Sequence, residues 1–120
     1  PAVLRRLAPP ATWDAAFAFG SATYRAVLDA ARRRGSRWRR VQPGDSVAVD
    51  GVVLSVLAPD PAWTATLADP NSASVVLAVR YGRVRFLLTG DAEADQERWL
   101  LDRARRDPAL AEALRADVLK

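Results

Sequence analysis

The segment Val84-Arg85-Phe86-Leu87-Leu88-Thr89-Gly90-Asp91 delivers a carboxylate at the end of an apolar run. A run this continuous reads as a strand covered on both faces. The glycine before Asp91 lets the backbone turn sharply and approach a ligand closely. Ligands of α/β sheets gather beyond the C-terminal ends of strands, which is where a metal-binding carboxylate belongs. Placed there, Asp91 can bridge two cations, as two-metal hydrolases require. The same residues have a structural reading: Glu93 and Asp95 follow, and Asp91 suits the N-cap of a helix starting at 92. Spacing leaves both open. Asn71 and Ser74, ahead of the preceding strand, either line the same site or bond to backbone in the turn after Pro70. Nothing in the spacing of Asp60, Asp69 and Asp91 groups them around a cation.

A second candidate is the run Arg32-Arg33-Arg34-Gly35-Ser36-Arg37-Trp38-Arg39-Arg40, six arginines around one tryptophan. Arginines grip phosphates and an exposed tryptophan stacks on a base, which makes Arg37, Arg39 and Arg40 candidate phosphate contacts. The alternative is a helix C-terminus, where cations favour the dipole, followed by a solvated strand edge.

Composition narrows the chemistry. The 120 residues contain neither Cys nor His. Thiolate chemistry and a histidine-activated serine are excluded, along with the usual zinc ligands. A cation held by these residues alone would rest on carboxylates and carbonyls, which suit magnesium or calcium. The net charge is +4, from 18 basic and 14 acidic residues, and all basic residues but Lys120 are Arg. So strong a preference for Arg and Ala suggests coding bias, so high basicity alone does not argue for nucleic acid. No phosphate-binding glycine loop occurs. No apolar run approaches the roughly 20 residues of a bilayer span, and Pro1 to Leu7 lack the pattern of a signal peptide. The chain reads as cut from something longer, with Ala116 to Lys120 a strand that has just begun.

The elements that position these residues follow from periodicity and punctuation. Residues 1–20 give a short helix end, a strand near 11–14 and a loop to Gly20. Ser21 caps a helix over 21–34, with Tyr24, Val27, Leu28 and Ala31 on one face and Gly35 closing it. Trp38 to Val41 reads as a short strand and Pro43-Gly44-Asp45 as a turn. Ser46–Val49 and Val52–Leu57 form a hairpin about Asp50-Gly51. Residues 59–73 read as a long loop. Strands at Ser74–Arg80 and Val84–Leu88 flank a turn at Tyr81-Gly82-Arg83. A helix over 92–106 buries Trp99, Leu100 and Ala104, and Asp107-Pro108 opens another. The length suits one compact domain, and the order gives an α/β fold, α+β layered.

Taken together, Asn71-Ser72-Ala73-Ser74 with the strand to Tyr81-Gly82, Val84 to Asp91, and Ala116-Asp117-Val118-Leu119-Lys120 resemble the metallo-β-lactamase-like domain of the ComEC family, the bacterial competence proteins that import DNA, and its soluble relatives. Members typically run Asn-Asn-Asn-Ser, a strand ending in Tyr-Gly, a strand ending in Leu-Leu-Thr-Gly-Asp, an acidic helix, and Leu-Lys-Ala-Asp-Val-Leu-Lys, with His-His-Gly-Ser close behind. Trp13-Asp14, Phe19-Gly20-Ser21 and Tyr24-Arg25 look like the part after the family's first metal motif. Pro43-Gly44-Asp45 is similar to the Gly-Asp before its next hairpin. Ser72 replaces one usual Asn, and Asn71 to Ser74 stand where many metallo-β-lactamase relatives carry a His.

The resemblance implies an αββα sandwich, of which residues 1–120 form a single partial domain from its C-terminal part. It implies that Asp91 contacts metal, as one of about five ligands. An early His-x-His-x-Asp-His would precede Pro1 and a late His would follow Lys120. The parent is then a metal-dependent hydrolase using zinc or manganese, a phosphodiesterase or DNA nuclease tied to DNA uptake. It would act on the extracytoplasmic side of the cell envelope, attached to the membrane, or else as a secreted soluble protein. The fragment has no membrane segment, is expected to be inactive and to bind no metal by itself, and its partners are DNA and the rest of the domain. A non-catalytic nucleic-acid-binding module of the same fold is the alternative. A partial domain should also leave apolar surface exposed beside the strands at 74–80 and 84–89.

Overall fold

The computed structural model describes residues 2–15, 17, 20–67 and 73–120. It is an α/β protein whose contacts divide into two compact units, Pro1–Val41 and Gln42–Lys120.

The first unit contains α1 (Ala2–Arg6), β1 (Ala11–Asp14), α2 (Ala22–Arg33) and β2 (Arg37–Arg40). The Ser21 hydroxyl accepts the Tyr24 N–H at 3.0 Å, the expected cap. At the far end of α2, the Ser36 N–H reaches the Ala31 carbonyl (3.0 Å) and the Gly35 N–H reaches Arg32 (3.1 Å). These two bonds form a Schellman closure, which requires the left-handed φ of +69° at Gly35. The helix buries Ala30 and Ala31. β2 pairs with β1 in parallel, Ala11 opposite Arg37 through Asp14 opposite Arg40, one residue earlier than the spacing predicted.

The second unit is built on a five-stranded sheet of order β3-β4-β5-β6-β7. The strands are β3 (Ser46–Val49), β4 (Val52–Ala58), β5 (Val76–Tyr81), β6 (Val84–Leu88) and β7 (Val118–Leu119). β3 to β6 form an antiparallel meander, and β7 joins β6 in parallel. Asp50 (φ 48°) and Gly51 (φ 81°) make the tight turn their types predict. Three helices complete the unit: α3 (Pro61–Thr64), α4 (Ala94–Ala104) and α5 (Pro108–Ala113). The core gathers Leu57, Ala58, Val76 and Leu100, with Ala78, Leu87, Trp99, Leu110 and Leu114 packed around them. No helix among the described residues is long and apolar enough to cross a membrane.

Two expectations need correction. The stretch 59–73 is not all loop: Asp60 caps α3 by accepting the Ala62 and Trp63 N–H groups (2.9 and 3.2 Å), and Pro61 sits at the first helical position. Trp63 stacks on Trp99 at 4.9 Å, with Arg103 over the Trp99 ring and bonded to Asp60 at 3.2 Å. Nor is β6 buried on both faces: Val84 is exposed and the rest are half-buried. The pairing register explains this. Val76, Ala78 and Leu87 share the face packed against the helices. The opposite face carries Val47, Val49, Val52, Leu54, Leu77, Val79, Tyr81, Val84, Phe86, Leu88 and Val118. On that face Val49 (55% exposed), Tyr81 (60%), Val84 (44%) and Val118 (44%) remain open.

Candidate functional site

Asp91 lies beyond the C-terminal end of an interior strand. β6 has β5 on one side and β7 on the other. Its ladder with β7 continues past the strand ends: the Lys120 N–H donates to Leu87 (2.9 Å), and the Thr89 N–H donates to Lys120 (2.8 Å). Gly90 then takes φ +60°. The Ala92 N–H closes back on the Thr89 carbonyl (3.1 Å), a turn that holds Asp91 at its tip. The carboxylate is exposed and has no hydrogen bond or ion pair among the described residues.

The N-cap reading of Asp91 fails on this geometry. α4 begins at Ala94, its N-cap is Glu93, and the Glu93 side chain makes no capping hydrogen bond. The turn from Thr89 to Ala92 uses up the residues that a helix from 92 would have needed. What remains is an unpaired acid at the strand end where sheets of this class place ligands.

Ser74 adjoins this turn. A Cβ on Gly90 would stand 3.6 Å from the Ser74 Cβ, so the two backbones are in close apposition. Ser74 is itself tied to α4 by Gln96, a residue that the sequence did not single out. It is fully buried in the first turn of α4, and its Nε2 donates to the Ser74 carbonyl at 2.6 Å. Its Oε1 is buried without a partner. The available signal was periodicity, since 96 falls with 99, 100 and 103 on the inward face of α4. Asn71 and Asp69 lie outside the described residues. Asp60 is occupied with α3 and Arg103. Among the described residues no three acidic, His or Cys side chains come together to hold a metal. The donors present therefore do not by themselves fit a divalent cation. A groove of about 400 Å³, lined by Ser55, Arg80, Arg85 and Glu112 among others, opens at the other end of β6, where Arg85 is already paired with Glu112 at 2.9 Å.

The arginine run belongs to the first unit. Arg32 and Arg33 form the last turn of α2, and all four residues of β2 are exposed. Strand alternation puts Arg37 and Arg39 on one face and Trp38 and Arg40 on the other. Arg39 also has an interaction partner within the chain. The Trp38 indole N–H donates to Asp14 Oδ2 at 3.1 Å, and the Tyr24 hydroxyl donates to the same oxygen at 2.5 Å. Burial, reinforced by the hydrogen bond and the negative charge of Asp14, pushes the Tyr24 hydroxyl up to about 12.

An α/β unit with a lone acid past an interior strand defines a class of architecture rather than a single activity. No family model matches the chain, and no solved structure matches it. It is similar to ComE operon protein 3 of Bacillus subtilis (strain 168), with 34% identity over 97 residues. The match covers 78% of this chain but 11% of that protein, so the chain spans about a tenth of the curated relative's length.

Proposed function

We propose that residues 1–120 are part of a metallo-β-lactamase-like domain in a competence protein associated with DNA uptake at the cell envelope. Asp91 is this chain's contribution to a metal-dependent hydrolase that cuts phosphodiesters in DNA. The observation that carries this is the state of Asp91: exposed, without a partner among the described residues, and presented by a tight turn beyond an interior strand. The similarity to ComE operon protein 3 supports the competence association. The apolar second face of the sheet supports the sandwich, because an αββα fold lays a second sheet there. The remaining ligands for zinc or manganese belong to other parts of the parent, and Ser74 borders the site.

The test is metal content and nuclease activity of the full-length parent, wild type against Asp91→Ala. The expected result is loss of both with unchanged circular dichroism. Wild-type metal content and cleavage in the variant would refute the assignment.

A further inference from the structure

We propose that the groove between α5 and strands β4 to β6 is a binding site for a small amphipathic monocarboxylate, an acid with one carboxylate and an apolar body. Arg80 and Arg85 take the carboxylate, and the sheet and α5 enclose the body. The site stands apart from Asp91, which lies beyond the opposite end of β6, and does not depend on the reading above.

The charge at its rim comes from the strand register. Arg80 of β5 and Arg85 of β6 are direct cross-strand partners. Residues so paired hold their Cβ atoms about 4.5–5.5 Å apart, and like charges there destabilise a sheet. On its other side Arg80 pairs with Val53 of β4, so the neighbouring strands bring it no acid. Arg85 is tied down: its guanidinium bonds to Glu112 at 2.9 Å and lies 3.8 Å from Asp117. Glu112 also meets Arg115 at 3.6 Å. The Arg80 side chain has no hydrogen bond or ion pair among the described residues. An anion seated between the two strands relieves the repulsion, and Arg85 already holds its fork in place to receive it. The count of charges selects the anion. Three guanidinium groups, Arg80, Arg85 and Arg115, stand with two acids, Glu112 and Asp117. The surplus is one positive charge, which one carboxylate neutralises.

The apolar body follows from the walls. The groove holds about 400 Å³, within the range of small-molecule sites. Behind the arginines it is walled by Val53 and Ala78 of the sheet and by Ala109 and Ala113 of α5. An alkyl or aryl group is withdrawn from water there, whereas a sugar would leave its hydroxyls without partners. Ser55 supplies one hydroxyl to the wall. At Ser55, Ala109 and Ala113 the groove adjoins a second one of about 320 Å³, which reaches Leu57 and Leu110. The apolar channel is therefore long enough for a chain of several carbons.

The experiment titrates the 120-residue chain with sodium octanoate and follows backbone amide shifts by NMR. A ligand of this size is expected to bind at about 1 mM, with saturable shifts at Ala78, Ala109 and Ala113. Octanol, which has the same chain and no charge, binds roughly tenfold more weakly, and so does octanoate to Arg80→Gln. Arg80 is exposed and its loss removes a like-charge pair, so the variant keeps the wild-type spectrum away from the groove. Arg83→Gln, which removes the same charge at the tip of the β5–β6 turn, binds octanoate as the wild type does. Equal affinity for octanol and octanoate would overturn the proposal. So would wild-type affinity in Arg80→Gln, or shifts confined to Val49, Tyr81 and Val84 on the opposite face of the sheet.

Discussion

Three aspartates precede helices in the second unit, and the structure separates their roles sharply enough to measure. Asp107 accepts the Ala109 and Leu110 N–H groups at 3.0 and 3.1 Å ahead of Pro108. Asp60 does the same for α3 and also pairs with Arg103. Losing such a cap costs about 1 kcal/mol, within a range of about 0.5–2. Asp91 makes neither kind of contact among the described residues, and it stands three residues before the first helical residue, Ala94. The dipole interaction is worth about 0.3–1 kcal/mol in the first turn and falls off beyond it. Asp91→Ala is therefore expected to cost less than about 0.3 kcal/mol. At a urea slope of about 2 kcal/mol/M, Asp107→Ala lowers the unfolding midpoint by about 0.5 M and Asp91→Ala by less than about 0.2 M. Urea titrations of the 120-residue chain, followed by circular dichroism and tryptophan fluorescence, measure both. A midpoint shift for Asp91→Ala equal to that of Asp107→Ala would make Asp91 a structural residue, and the functional assignment would lose its basis.

Other outcomes follow from the same contacts. Tyr24 has a folded-state pKa of about 12, above the ordinary 10 of an unfolded tyrosine. Its contribution is fully present below pH 10 and is lost as pH rises through 12, so the stability gap between wild type and Tyr24→Phe should close over that window in alkaline melts. Gly90→Ala meets Ser74 only at ordinary contact distance, 3.6 Å, so its cost is the left-handed backbone alone, about 1 kcal/mol in a thermal melt. Gln96→Leu forfeits one hydrogen bond worth about 1 kcal/mol but removes the buried, unpaired Oε1, whose penalty is about 1–3 kcal/mol. The variant should unfold at or above the wild-type midpoint, and a loss of more than about 2 kcal/mol would show that Oε1 is satisfied.

What the sequence disclosed depended on how local the determinants were. Asp50-Gly51, the Ser21 cap, Gly35 and Asp107-Pro108 each act within a few residues, and each appears where its chemistry predicts. Asp60-Pro61 carries the same signal as Asp107-Pro108 but falls in a proline-punctuated stretch that predicts a loop. Its helix is only four residues long, and the partner that steadies it, Trp99 under Trp63, lies 36 positions away. The sequence places the start of α4 at 92, with Asp91 as cap and Glu93 and Asp95 in the first turn, whereas the helix starts at Ala94. The hydrogen bond from Ala92 to Thr89, set by how the chain leaves β6, delays the helix. Gln96 was invisible for the same reason: its role is fixed by a carbonyl 22 residues away.

A sheet covered on one side alternates apolar and polar residues, with the polar set facing water. Here the alternation runs the other way. The helix-packed face includes Arg80, Arg85, Ser46 and Ser55, while the opposite face is Leu77, Val79 and Tyr81 on β5 and Val84, Phe86 and Leu88 on β6. Helices cover the helix-packed face only in part, with Arg85 reaching Glu112 at its rim. The more apolar face is the one with five exposed large side chains, Val47, Val49, Tyr81, Val84 and Val118. Contiguous apolar surface of that kind marks an interface. On the proposed sandwich a second sheet would cover that face. The turn carrying Asp91 would then end an inner layer, where its unpaired acid could meet further donors without first breaking any contact of its own.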